Sequence, residues 1–130
     1  MRVNDNVTCM DGVSFIEYKG KKILYVDYSH CKTIQDSLDV LEEVRNEYLR
    51  TNELYLKLSN FHNTLSNNEY LEVVKKYAKE LFDSRTIRNA AIGITGTQKL
   101  LLAAYNISVR NKLLAFDTKE EALEYLVNKG

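Results

Sequence analysis

The stretch "YKGKKILYVDYSHCKT", residues 18–33, decides the fold. It opens on a glycine turn at Gly20. Four apolar residues follow, from Ile23 to Val26, and it ends at Thr33, the threonine of a helix cap. A continuous apolar run of this length suits a strand covered on both faces. The preceding "VSFIEY", residues 13–18, is a second strand-like run, and the short glycine-containing link makes the pair a β-hairpin. Downstream of Thr33, Ile34, Leu38, Leu41, Val44 and Tyr48 recur at spacings of three and four, which predicts a helix with those residues on its buried face. Thr33 and Asp36 have the spacing of a capping box.

The same reading extends to the end of the chain. "ELYLKL", residues 53–58, sets Leu54, Leu56 and Leu58 against Tyr55 and Lys57 with period two, a strand pattern. After the polar loop "SNFHNTLSNN", residues 59–68, Ser66 and Glu69 have cap spacing. Tyr70, Val73, Val74, Tyr77, Ala78 and Leu81 then form the apolar stripe of a second helix. "AAIGI", residues 90–94, is a short strand, and "TGTQKLLLAAYNI" turns through Gly96 into a third helix. "LLAF" is a last strand. "DTKEEALEYLVNK" begins a last helix, with Thr118 as its cap and Glu121 three residues on. The predicted class is α/β, with elements in the order ββαβαβαβα and one mixed five-stranded sheet. Strands separated by helices imply right-handed crossovers and parallel pairing, and the hairpin supplies the antiparallel pair.

A chain of 130 residues without proline fits one domain, residues 1–130, with 1–12 as an N-terminal extension. The formal net charge is zero, which removes the general attraction to phosphate backbones and argues against a nucleic-acid partner. The lysines near the hairpin turn and at Lys75, Lys76 and Lys79 are spaced as a solvated face. No apolar run reaches a membrane span or the core of a signal peptide, so the expected location is the cytoplasm. Cys9 and Cys31 are then expected as thiols, and no metal site or cofactor is expected.

The concentration of Asp27, Ser29, His30 and Cys31 invites a catalytic reading, and geometry argues against it. Ser29 and His30 are adjacent, and adjacent side chains on extended backbone point apart, whereas a nucleophile and its base must converge. Neither a G-x-S-x-G elbow nor a GxxxxGK[ST] loop is present. The expectation is a protein without catalytic residues. Asp27 and Ser29, with the turn Thr95–Gly96–Thr97, lie at strand-to-helix junctions, the edge of an α/β sheet where small ligands bind.

Three segments together, "YKGKKILYVDYS", "RNAAIGITGTQKLLL" and "LLAFDTKEEALEYL", resemble the STAS-like proteins, small domains similar to bacterial anti-sigma-factor antagonists. The resemblance runs from about Val13 onward. It implies a mixed sheet with helices packed against it and a regulatory role through binding a protein partner. It also implies a phosphorylatable serine after the third strand, within D-S-S-G or D-S-x-G. This chain has "LSNFHNTLSNNE" there, with Ser59, Thr64 and Ser66 but neither the aspartate nor the glycine. Ser59, Phe61, Thr64 and Ser66 are accordingly the candidate partner or switch residues, with Phe61 and Leu65 suited to anchor a partner. Self-association is compatible with this reading. The resemblance also reaches, more distantly, to lipid-carrying CRAL-TRIO domains, which implies an alternative role as carrier of a small apolar or anionic ligand.

Overall fold

A computed structural model describes residues 12–128. The N-terminal extension before Gly12 and Cys9 within it lie outside the described residues. Strand β1 (Val13–Tyr18) and strand β2 (Lys21–Asp27) form the antiparallel hairpin, Val13 facing Val26 and Tyr18 facing Lys21. Its two turn residues, Lys19 and Gly20, have φ of 49° and 79°. Two successive positive φ angles are what a two-residue turn needs to match the strand twist.

Helix α1 (Ile34–Arg50) follows, then β3 (Tyr55–Asn60) and α2 (Asn68–Tyr77). The α2 helix continues through a π-helical turn, Ala78–Phe82, and a final turn, Asp83–Arg85. Then come β4 (Thr86–Ile92), α3 (Thr97–Ser108), β5 (Leu113–Phe116) and α4 (Lys119–Val127). All five strands form one sheet in the order β1-β2-β3-β4-β5, parallel from β2 onward. The expected α/β class and single mixed sheet are therefore present.

Strand order equal to chain order fixes where the helices go. Right-handed crossovers that always advance in one direction leave their helices on one face. Val40, Leu41, Val44 and Tyr48 of α1, Tyr70, Ala78 and Phe82 of the α2 segment, and Tyr105 of α3 share one core with Leu24, Val26 and Ala91 of the sheet. The other face is covered by α4, whose Ala122, Leu123 and Leu126 pack on Ile23, Leu58, Ala90 and Ile92. Both faces are thus covered, so side chains of both parities along β3 and β4 are buried.

Several local expectations need correction. The buried face of α1 includes Ser37 and Val40, while Ile34 is half-buried. Thr33 caps α1 with the complete box: its hydroxyl accepts from Asp36 N–H, and the Asp36 carboxylate accepts from Thr33 N–H. At α4 the Thr118 hydroxyl accepts from Glu121 N–H at 3.1 Å, without the reciprocal bond. The cap of α2 is Asn67, not Ser66, since the Asn67 side chain accepts from Tyr70 N–H at 3.0 Å. Asn67→Ala should therefore cost about 1 kcal/mol in urea denaturation, and Ser66→Ala a few tenths at most. Equal losses would move the helix boundary back to Ser66.

Candidate ligand-binding cavity

Parity along β3 and β4 builds the site. Tyr55, Lys57 and Ser59 project toward the three-helix face, as do Asn89 and Ala91 of β4. Register sets Lys57 beside Asn89 and Ser59 between Val26 and Ala91. Lys57, Ser59 and Asn89, with Val26 of β2, form the floor of a cavity of about 70 Å³. Its walls are mostly apolar: Leu41 and Val44 from α1, Leu71 and Val74 from α2, and Leu101 from α3, with Tyr105 beside them.

Lys57 is the unusual member. Only 6% of it is exposed, and among the described residues its ammonium has neither a hydrogen bond nor an ion pair. It lies over two aromatic faces, 4.2 Å from the Phe82 ring centroid and 5.4 Å from that of Tyr48. Ring quadrupoles attract a cation but do not replace its lost hydration. Burial accordingly pushes the Lys57 pKa down to about 8, with Asp83 pulling weakly the other way. Beside it, the Asn89 side-chain oxygen is buried without a hydrogen-bond partner. Burial raises the hydroxyl pKa values of Tyr28, Tyr48 and Tyr105, so these groups stay neutral near pH 7.

The π-helical turn places Phe82 under the lysine. Its hydrogen bonds span one residue more than those of an α-helix, so the stripe that would have ended on Leu81 extends to Phe82, which is buried.

The loop after β3 is tied down at one side of this cavity. Phe61 stacks on Tyr28 with ring centroids 4.7 Å apart and 9° between planes, and its N–H donates to Ile92 O. The Thr64 hydroxyl donates to Tyr28 O at 2.9 Å, and Gln98 Nε2 donates to Thr64 O at 2.7 Å. Ser59, Phe61 and Thr64 are therefore buried, and the partner-anchoring role expected of Phe61 does not fit its placement. A residue stacked beneath its own loop has no face to offer a partner. Leu65 is 60% exposed, and Ser66 is half-buried at the cavity wall. Ser59, Phe61 and Ser66 thus meet on one cavity, a grouping that loop position alone did not suggest.

The alternative edge site is not assembled. Asp27 Oδ1 accepts from Ser29 N–H at 2.9 Å and from the Ser29 hydroxyl at 2.6 Å, closing a local turn. Thr95, Gly96 and Thr97 are exposed, and no hydrogen bond joins them to Asp27 or Ser29. The reason is topological. Ligand crevices at strand ends open where strand order reverses, and here it never does. Cys31 is buried, and His30 lies outside with its Nε2 3.9 Å from Asp27. Among the described residues, no group of three or more His, Cys, Asp or Glu is placed to hold a metal ion, and no helix is long and apolar enough to cross a membrane.

Lys57 and Asn89 are the residues that sequence reasoning missed. The signal was present: both stand in strands that parallel crossovers require to be covered on both faces. Comparison with protein-family models, curated proteins and solved structures gave no match for this chain.

Proposed function

We propose that this chain is a non-enzymatic, STAS-like domain that binds a small ligand in the cavity beneath its three-helix face. The observation that carries the reading is the buried Lys57, without a hydrogen bond or ion pair among the described residues, on the floor of a mostly apolar cavity. A buried ammonium held only by ring faces is costly to the folded state, and a bound counter-group offsets that cost. The mixed sheet with helices on both faces agrees with the STAS-like resemblance. A regulatory role fits the same site, because the loop carrying Phe61, Thr64 and Ser66 borders the cavity while Leu65 stands on its outer side. Occupancy is then felt on the surface that a protein partner would touch.

The test is whether the cavity admits a guest. Amide spectra recorded under xenon pressure should shift at Val44, Leu71 and Leu101, since xenon enters apolar cavities without needing a polar partner. Shifts confined to exposed residues, with none at these three, would remove the cavity as a binding site.

A further inference from the structure

Strand β5 pairs with β4 alone, so its far side is an open edge of the sheet. We infer that Asn106 of α3 guards that edge: its amide occupies the outward N–H and C=O of Leu113 and so keeps β5 from pairing with β5 of a second copy of this chain. The inference is independent of the ligand-binding reading.

Two hydrogen bonds carry it. Asn106 Oδ1 accepts from Leu113 N–H at 2.8 Å, and Asn106 Nδ2 donates to Leu113 O at 3.0 Å. One amide thus makes both bonds that a residue of an adjacent strand would make. Successive residues of a strand direct their N–H and C=O to opposite sides. Leu113, engaged by Asn106, is turned away from β4. Leu114 is then turned toward β4, and Ala115 faces outward again.

The rest of β5 offers no substitute for this guard. Edges are blunted by charge, proline, bulges or a cover, and shortness is the one such device that β5 has of its own. Its sequence "LLAF" has neither charge nor proline, and its register with β4 runs without a bulge. The preceding Lys112 curls back, its Nζ donating to Asn106 O and Val109 O at the end of α3. Strand β1, at the opposite edge, carries the exposed Glu17.

A second copy suits the edge that Asn106 holds. In an antiparallel two-fold pairing centred on Ala115, Ala115 would exchange hydrogen bonds with its own equivalent. Leu113 would do so with Asp117 of the second copy, on either side of the axis. Leu114 would face Phe116 of the second copy and Lys112 its Thr118, so apolar meets apolar and no like charges oppose. Both outer pairs of this ladder need Leu113, and these are the pairs Asn106 prevents.

Asn106→Ala removes the guard, and Asn106→Leu removes both bonds at unchanged size. Sedimentation velocity over a concentration series should show each associating more tightly than wild type by about thirtyfold or more, the low-end worth of four hydrogen bonds. Ala115→Pro takes away the central outward N–H at a position where an edge strand tolerates proline. Added to either variant, it should restore the wild-type state. Variants whose amide spectra show them folded, yet which associate no more than wild type, would overturn the inference. So would association that Ala115→Pro leaves intact, or a wild type that already associates and is dispersed by Ala115→Pro. Hydrogen exchange of the wild type tests the clamp without any variant: Leu113 N–H should be protected and Ala115 N–H should exchange freely. Equal rates at the two positions would overturn the guard.

Discussion

Lys57→Met is expected to stabilise the protein by about 3 kcal/mol at pH 7, an unusual direction for a substitution at a buried position. The reason is the reference state. A free lysine titrates near 10.5, whereas burial holds Lys57 at about 8. Keeping the folded state charged at neutral pH therefore costs it what that difference is worth. Methionine fills a similar volume and rests on Phe82 and Tyr48 without a charge to desolvate. The pH dependence follows with a definite sign. Below about pH 8 the lysine is protonated in both states and the full cost is borne. Between about 8 and 10.5 the folded protein has released the proton that the unfolded chain still holds, so wild-type stability rises with pH. Buried tyrosines act in the opposite sense above about pH 10: their folded pKa values are raised, so the unfolded chain loses protons first and stability falls. Urea midpoints measured from pH 7 to 10 should climb for the wild type relative to Lys57→Met, and the two curves should converge. A variant less stable than wild type at pH 7 would mean that Lys57 has a strong partner in solution.

Gly93→Ala is expected to destabilise by about 3 kcal/mol or more. Gly93 follows β4 with φ of 82°, a conformation that costs any other residue. A Cβ there would lie 2.5 Å from His62 N and 2.9 Å from His62 Cα, and backbone cannot swing aside as a side chain can. His62 adjoins Phe61, whose N–H bonds to Ile92 O, so relief of the clash would pull the loop away from the cavity. Gly20→Ala is the matched control. Its φ is 79° and nothing lies within 4 Å of the added carbon, so it should lose only the conformational cost, about 1 kcal/mol. Thermal unfolding of the two variants separates the terms, and equal losses would show that the His62 contact relaxes freely.

How far these features could be read from the sequence depended on whether they obey a local period. The run Ile23–Val26 declared a two-sided strand, and Thr33 and Thr118 declared their caps, because each signal is written within a few neighbouring residues. Lys57 was hidden by the same rule. Period-two alternation marks one parity as inside and the other as outside, but a sheet covered twice has no outside. Phe82 was hidden because a π-helical turn breaks the helical period without a residue type that announces it. Ser66 and Asn67 are neighbouring residues of equal capping ability, and only the path of the chain into α2 chooses between them. Phe61 looked like an anchor because it stands in a polar loop, whereas its partner, Tyr28, lies far away in sequence at the end of another strand.

Strand order that repeats chain order has a kinetic meaning as well. Each strand pairs with the one made just before it, so every loop that must close in assembling the sheet is short or spans a single crossover. The hairpin, closed by two residues, has the smallest entropy to overcome, and each later strand meets an edge already formed. No pairing in this sheet waits on a more distant one, and no strand has to be threaded between two others.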